Sequence, residues 1–170
     1  MVFIQLSTSN IKFKIFFNIF YCANHDQCIV TALKRAEAVC VKKHVRLTAI
    51  REHVFKEVWS SHQPVGAYDI VDSLALNVNT GKRIKAPSVY RALEFLMKHH
   101  LIHRISTLNA YIGRSFPEKI YNNFFLICRN CRVTAECSTD QINNVIEHTA
   151  ERTGFLVEQQ VVEIIGLCPE

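Results

Sequence analysis

The sequence has few glycines, and it lacks the side-chain arrangements that carry most enzyme chemistry. Only five glycines occur in 170 residues, and none belongs to a glycine-rich loop that could cradle a phosphate. No pair of carboxylates is spaced for acid–base catalysis, and no nucleophile stands beside a base. These absences make a nucleotide-binding enzyme improbable, and we expect a protein that is not an enzyme.

The chain also lacks a long hydrophobic run and a secretory cleavage signal. Its most apolar passage, residues 11–21, is interrupted by Lys12, Lys14 and Asn18, and it is far shorter than the roughly 20 residues of a spanning helix. A degenerate signal peptide, an interfacial anchor and a non-native extension are three interpretations of this passage. The last is favoured, because patterned sequence begins only near Cys28.

Seven cysteines are an odd number, which does not indicate a disulfide framework. Two of them form the short motif Cys128-Arg129-Asn130-Cys131. We therefore expect a cytoplasmic protein in a reducing compartment, with no membrane partner and with thiolates available for a metal ion.

Charge is divided unevenly along the chain, although the total is only +5. Residues 1–104 contain 15 Lys and Arg against 7 Asp and Glu, whereas residues 105–170 contain 5 against 8. A basic front half favours a polyanion partner, because Lys and Arg contacts to phosphate supply most non-specific affinity for nucleic acid. The acidic rear half predicts a different role.

Hydrophobic periodicity predicts an α+β protein with two domains. In the front half we expect helices over 29–43, 49–59 and 67–78, a fourth helix from Lys85, and a hairpin of two short strands. In the rear half we expect strands over 123–128 and 133–137, a helix over 141–153 and a strand over 155–167. So small a sheet buries little apolar surface alone, which predicts pairing across a dimer or a bound metal.

The predicted domain boundaries follow from these elements. Residues 1–28 form an N-terminal extension, residues 29–113 the front domain, residues 114–122 a hinge, and residues 123–170 the rear domain. The hinge follows Gly113, contains Pro117 and carries charges of both signs.

The helix that begins near Lys85 is strongly amphipathic. Pro87 suits its first turn, where a missing N–H costs nothing. A surface helix packed on a core and a DNA-recognition helix followed by a wing both fit this pattern. In the second case Ser88, Tyr90 and Arg91 project from the turn that meets base edges and phosphates. The apolar positions on the opposite side are Val89, Ala92, Leu93, Leu96 and Met97.

Several motifs occur in one characteristic order: Ala67-Tyr68-Asp69, Pro87-Ser88-Val89-Tyr90-Arg91 and Gly166-Leu167-Cys168. This order, from about Cys28 to Cys168, resembles the ferric uptake regulator family and within it the zinc uptake regulator branch. The resemblance implies a homodimeric, metal-dependent repressor of zinc-uptake genes, with an N-terminal winged-helix DNA-binding domain and a small C-terminal α/β dimerisation domain. An iron- or peroxide-responsive member, and a zinc-holding dimeric interaction module without DNA binding, are the alternatives.

The resemblance further implies that Tyr68, Tyr90 and Arg91 contact DNA. Arg91 is the expected purine reader, because a guanidinium can donate two hydrogen bonds to guanine, worth about 1 to 3 kcal/mol of discrimination. Four other basic side chains are either phosphate contacts or part of a solvated surface: Lys82, Arg83, Lys85 and Arg51.

A structural zinc site is expected in the rear domain. Cys128 and Cys131 can chelate one ion, and the resemblance implies that Cys168 joins them. The family's fourth ligand would follow Glu170. A further residue, Cys137, a carboxylate and water are the open alternatives for that position.

A regulatory metal site is also implied, and here the sequence departs from the family pattern. The zinc branch combines a wing His, a Cys after the wing, a loop His and a Glu after the CxxC motif. His103 and Glu136 match the first and the last. Arg114 occupies the Cys position, and the loop around Tyr121 has no His. The hypothesis is a weakened or lost metal switch in which Arg114 and Glu136 pair.

The run that contains His25, Asp26 and Cys28 resembles a metal-binding segment only faintly, and a polar tail is the favoured interpretation. Cys40 falls on an apolar helix position and is expected in the core.

Overall fold

A computed structural model describes residues 24–76, 84–115, 117, 123–158 and 160–168. Over these ranges the chain forms a front domain of helices with a small sheet and a rear domain of one sheet and one helix. This is the predicted α+β class. Most of the predicted extension and hinge, together with Lys82 and Arg83, lies outside the described residues. No helix within the described ranges is long and apolar enough to span a membrane.

The front domain is built from four helices and three strands in the part of the chain that the structure describes. The helices are α1 (His25–Lys42), α2 (Ala49–Val58), α3 (Ala67–Leu76) and α4 (Ala86–Lys98). The strands are β1 (Val65–Gly66), β2 (Ile102–Ile105) and β3 (Ala110–Gly113), antiparallel in the order β1-β3-β2. The predicted hairpin is therefore present. The strand β1 was not among the predicted elements, because a two-residue strand is too short to show a period and is fixed only by its pairing with β3.

Helix α1 begins four residues before the predicted start. The side chain of Asn24 accepts a hydrogen bond from the N–H of Gln27 at 3.3 Å, so a capped first turn occupies part of the predicted extension. Thr48 occupies the N-cap position of α2, but its side chain makes no capping hydrogen bond. Cys40 is buried on α1, as its apolar position predicts.

Helix α4 packs on the front-domain core as its pattern predicts. Its first turn carries Pro87, and its exposed face carries Ser88 and Arg91. The buried side is Val89, Ala92, Leu93 and Leu96. These side chains belong to one core cluster with apolar residues of the other three helices, for example Phe55 of α2 and Ile70 of α3. The packing therefore fixes which residues of α4 face outward.

The rear domain has the predicted β-β-α-β order. Its elements are β4 (Asn123–Cys128), β5 (Thr134–Ser138), α5 (Asp140–Thr153) and β6 (Val162–Gly166). β4 is central, antiparallel to β5 and parallel to β6. The last strand is shorter than the predicted 155–167, because its pairing with β4 begins only at Val162 opposite Phe124.

Candidate functional site

Two tyrosines meet where α3 and α4 begin. Tyr68 lies in the first turn of α3 and is 76% exposed, and Tyr90 lies on α4 and is 37% exposed. Partial burial, followed by the electrostatic and hydrogen-bond effects of Tyr68, raises the pKa of Tyr90. Both tyrosines carry a hydroxyl that can donate a hydrogen bond to an acceptor on a ligand, and the raised pKa favours the neutral phenol of Tyr90.

The exposed side of early α4 continues this surface. Lys85, Ser88 and Arg91 are all exposed there. The resulting surface, formed by Tyr68, Lys85, Ser88, Tyr90 and Arg91, is called the α4 face below. It combines two cations with three hydroxyl donors, a set of groups suited to phosphates and base edges.

Arg51 is held by contacts within the front domain. Its guanidinium stacks 3.5 Å from the centre of the Phe95 ring, and its Nη1 donates to the carbonyl of Arg46 at 2.6 Å. These contacts brace α2 against α4 and cover the ring. Its phosphate contact stays a prediction, and the structure gives Arg51 a packing role in addition.

Three cysteines converge at one end of the rear-domain sheet. Cys128 ends β4, Cys131 follows in the turn, and the parallel pairing of Cys128 with Gly166 brings Cys168 alongside. The three sulfur atoms lie within 4.8 Å of one another, and those of Cys131 and Cys168 are 3.6 Å apart. Sulfur ligands of a tetrahedral zinc, each about 2.3 Å from the ion, are separated by roughly this distance.

The protonation of this cluster also suits a cation. Backbone N–H groups of Cys131 and Cys168 lower the pKa of Cys128 to about 6, and the amide of Cys168 lies 3.5 Å from its sulfur. Hydrogen bonds with Cys128 and Cys131 raise the pKa of Cys168 to about 11. Cys128 is thus a thiolate near neutral pH, and a metal ion bound there would displace the proton of Cys168.

Cys137 does not complete this group. It is buried against Phe124 and Ala135, and its thiol lies 3.9 Å from the carbonyl of Ala135. Among the described residues only Cys128, Cys131 and Cys168 form the cluster, so Cys137, which was one of the open alternatives, is not the fourth ligand.

The wing and the rear domain meet at the carboxylate of Glu136, whose side chain is 12% exposed. The Nε2 atom of His103 on β2 lies 2.9 Å from Oε1 of Glu136 on β5, and the Asn123 amide donates to the same oxygen. The N–H of Ser115 donates to Oε2 at 3.3 Å. Burial alone would raise the pKa of Glu136, but these hydrogen bonds and the charge of His103 lower it. Glu136 is therefore a carboxylate whose two oxygens are already engaged.

Arg114 is buried at the start of the hinge, with 8% of its surface exposed. The backbone N–H of Arg114 donates a hydrogen bond to the carbonyl of Leu101 at 3.2 Å. The guanidinium of Arg35 on α1 donates to the carbonyl of Ser115, the residue that follows Arg114, at 2.7 Å. The charge of Arg114 contributes to lowering the pKa of Glu136.

The described residues of this region do not fit the regulatory metal that the family pattern implies. His103 and Glu136 are directed at each other, and a buried guanidinium repels a divalent cation in the same region. The predicted ligands His103 and Glu136 are together, but as a hydrogen-bonded pair. Glu136 contacts His103 directly at 2.9 Å, and the expected pairing with Arg114 takes the form of a charge interaction that also lowers the pKa of Glu136.

A second contact between the wing and the rear domain was missed from the sequence. Glu163 on β6 accepts hydrogen bonds from the N–H of Ser106 at 2.6 Å and from the N–H and hydroxyl of Thr107 at 2.9 and 2.6 Å. These groups form the turn between β2 and β3. The only sequence signal of this contact was the single carboxylate, Glu163, within the otherwise apolar sequence of β6.

We expect Glu163→Ala to loosen this turn. The carboxylate accepts three hydrogen bonds, and bonds to a charged group contribute about 1.5 to 3 kcal/mol before the effect of exposure is discounted. Amide exchange at Ser106 and Thr107 should accelerate about tenfold relative to wild type. Glu147→Ala, an exposed site on α5, is the control, and equal exchange in both variants would contradict the assignment.

The same contact has a defined pH dependence. Partial burial acts to raise the pKa of Glu163, but the hydrogen bonds from Thr107 and Ser106 lower it overall. The stabilisation is therefore fully present above the ordinary carboxyl pKa, and it is lost as the pH falls through the lowered value.

The described geometry agrees with the comparison to known proteins. The model of the ferric uptake regulator family matches residues 42–165. The chain belongs to the ferric uptake regulator family. Among curated members, the zinc uptake regulation protein of Escherichia coli (strain K12) is 29% identical over 137 residues, covering 80% of this chain and 78% of that protein. The ferric uptake regulation protein of Synechococcus elongatus is 21% identical over 126 residues, covering 73% and 84%.

Two solved structures of zinc uptake regulators superpose on both domains of this family member. One is described as a zinc uptake regulator complexed with zinc and DNA; it has a TM-score of 0.74 and 26% identity, and the match covers 85% of this chain and 93% of that one. The other, holo XcZur, has a TM-score of 0.72 and 28% identity, with coverage of 85% and 96%. The fold prediction is confirmed by these similarities.

Proposed function

We propose that this protein is a cytoplasmic, homodimeric DNA-binding repressor of zinc-uptake genes, and not an enzyme. The observation that carries the proposal is the superposition, over 85% of the chain, on a zinc uptake regulator bound to zinc and DNA. The identity of 26 to 29% to such regulators supports the zinc branch over the iron-responsive one.

The exposed apolar surface of the rear domain supports dimerisation. No residue of α5 is buried, and the outer side of the sheet also presents large apolar side chains to solvent. Apolar surface of this extent on a small domain is typical of a protein interface. The exposed members are Leu126, Val145, Phe155, Leu156, Val161, Ile164, Ile165 and Leu167.

The α4 face supplies the DNA contacts. Two copies related by a twofold axis place Arg91 in major grooves about one helical turn, or a multiple of that, apart on a near-palindromic operator. Arg91 reads a purine, Tyr68, Ser88 and Tyr90 donate hydrogen bonds from the first turns, and Lys85 binds phosphate.

Cys128, Cys131 and Cys168 hold a structural zinc ion. The ion supplies a strong link between the turn after β4 and the end of β6, because its binding free energy adds to folding free energy. The three residues thereby tie β4 to β6 at one end of the sheet, and the outer face of that sheet forms the dimer interface.

The contact around Glu136 keeps the wing against the rear domain without a regulatory metal. His103 and Asn123 bind its carboxylate directly, and Arg114 supplies a buried positive charge nearby. We infer that these groups maintain the DNA-binding arrangement of the two domains, so that metal control is weakened or lost at this position.

Binding of the full-length protein to promoter DNA of zinc-uptake genes tests the proposal. We expect salt-dependent binding with a clear preference for an operator over random DNA in fluorescence anisotropy, and a dimer by analytical ultracentrifugation. Comparing Zn²⁺ with Fe²⁺ and Mn²⁺ separates the zinc branch from the iron- or peroxide-responsive alternative. A dimer without salt-dependent DNA binding would instead identify an interaction module.

A further inference from the structure

The first turn of α1 presents two metal-binding side chains on one side. His25 and Cys28 are three residues apart, and residues at this spacing are neighbours on the surface of a helix. The turn exists because Asn24 caps the helix ahead of them. The polar-tail interpretation of this run is therefore wrong for residues 25–28.

His62, in the loop between α2 and β1, lies against this turn. The rings of His25 and His62 are 4.6 Å apart between centroids, at an interplanar angle of 68°. Ligand atoms of His25, Cys28 and His62 all lie within 4.8 Å of one another, and the three residues are partly buried. His62 thus meets the first turn of α1 although it lies at least 34 positions further along the sequence.

The hydrogen bonding of His25 fixes which of its ring nitrogens can bind a ligand. Its Nε2 lies 2.9 Å from the carbonyl oxygen of Ser60. A carbonyl can only accept, so Nε2 carries the proton and Nδ1 presents a lone pair. A backbone carbonyl that orients the second nitrogen in this way is a common feature of metal-binding histidines.

Two ring nitrogens in this group are buried without a hydrogen-bond partner among the described residues. They are Nδ1 of His25 and Nε2 of His62. A buried polar atom left unsatisfied costs about 1 to 3 kcal/mol. A cation between the rings and the thiol of Cys28 would satisfy both nitrogens at once.

We propose that Nδ1 of His25, Sγ of Cys28 and Nε2 of His62 bind a zinc ion, at a site in the front domain that is separate from the thiolate cluster of the rear domain. Two imidazoles and one thiolate are ligands that favour zinc over magnesium or calcium. Zinc distances of about 2.0 to 2.3 Å require the side chains to close by roughly 1 Å. The fourth tetrahedral position is then filled by water.

The site would fasten the start of α1 to the loop that leads into the wing sheet. β1 follows that loop and pairs with β3 through Val65 and Tyr111. Zinc at this point therefore orders the first turn of α1 together with residues 60–62. This role goes beyond the proposed function, because it requires neither DNA nor the dimer.

Zinc stoichiometry of the reduced full-length protein tests the site directly. After equilibration at buffered free zinc, we expect roughly two ions per chain in wild type and roughly one in Cys28→Ser and in His62→Ala. His53→Ala, which removes an exposed histidine of α2, is the matched control and should retain both. Equal stoichiometry in all four proteins would overturn the proposal.

Hydrogen exchange gives a second readout that does not depend on counting ions. Adding zinc should slow exchange of the amides of residues 25–28 and 60–62 at least about tenfold in wild type and not in Cys28→Ser. An unchanged rate in wild type would argue against the site even if DNA binding is normal. Loss of DNA binding with normal zinc protection would instead count against the proposed function alone.

Discussion

Replacing Arg91 by alanine should remove most of the preference of the protein for its operator over random DNA. Arg91 is exposed on the first turns of α4, on a helix whose opposite side is locked into the core. A bidentate contact between guanidinium and guanine is worth about 1 to 3 kcal/mol of discrimination. We expect operator affinity to fall roughly 5- to 150-fold for each half-site that loses the contact, with a much smaller change on random DNA. Anisotropy titrations on both DNAs measure the ratio.

Lys85→Ala is the matched control, because it removes a cation from the same face without removing a base contact. A phosphate contact carries no sequence information, so this variant should weaken binding to both DNAs alike. The slope of log affinity against log salt should also decrease by about one for each Lys85 that contacts a phosphate, and so by about two for the homodimer. If Arg91→Ala and Lys85→Ala lowered affinity identically on operator and random DNA, the division between base and phosphate contacts would be wrong.

The sequence was sufficient to predict both α4 and its exposed side, because the same helical spacing of apolar residues indicates the helix and the side that it buries. The buried positions recur at helical spacing, and the remaining positions of the first turns must then face outward. The rear-domain strands at Asn123–Cys128 and Thr134–Ser138 were predicted for a similar reason, since their apolar runs are bounded by turns. Local pattern and tertiary packing agree in these elements.

The features that escaped prediction depend on partners that are distant in sequence. β1 is a strand only because Val65 meets Tyr111 on β3, and β6 can be no longer than its pairing with β4 allows. Glu163 binds the wing turn across 56 residues, a contact without a local signal. The three cysteines could be grouped only through the family resemblance. Cys168 reaches the CxxC turn through the parallel pairing of β4 with β6, and this long-range pairing has no signal in the local sequence.

The metal-binding histidine at position 62 was missed for a related reason. Its significance depends on α1 starting at His25, and the predicted start four residues later placed His25 and Cys28 outside the fold. A capping residue at Asn24 was the available signal. Once the first turn is helical, the approach of the loop after α2 completes the group.

The second large effect concerns Arg114, which stands where the zinc branch has a cysteine. The wild-type contact needs no metal, because His103 and Asn123 already engage Glu136 and Arg114 contributes a buried charge. Operator affinity of the wild type should therefore change less than about threefold when zinc is added, provided that the thiolate cluster stays loaded. The protein that keeps Arg114 and the Arg114 variants described next are all compared in a Cys28→Ser background, so that zinc at the front-domain site does not contribute.

Arg114→Cys should convert this contact into a metal-dependent one. Without zinc, loss of the guanidinium leaves the buried Glu136 carboxylate less compensated, and a coupling of about 1 to 3 kcal/mol predicts a 5- to 150-fold loss of operator affinity. With zinc, the new thiolate together with His103 and Glu136 provides three ligands of the kind the metal prefers, and affinity should recover. Arg114→Ala supplies no ligand, so it should lose affinity in the same way and fail to recover. A steep zinc-dependent gain in the Cys28→Ser protein that keeps Arg114 would show that the switch is intact, since a buried guanidinium could not then be taking the place of the ion.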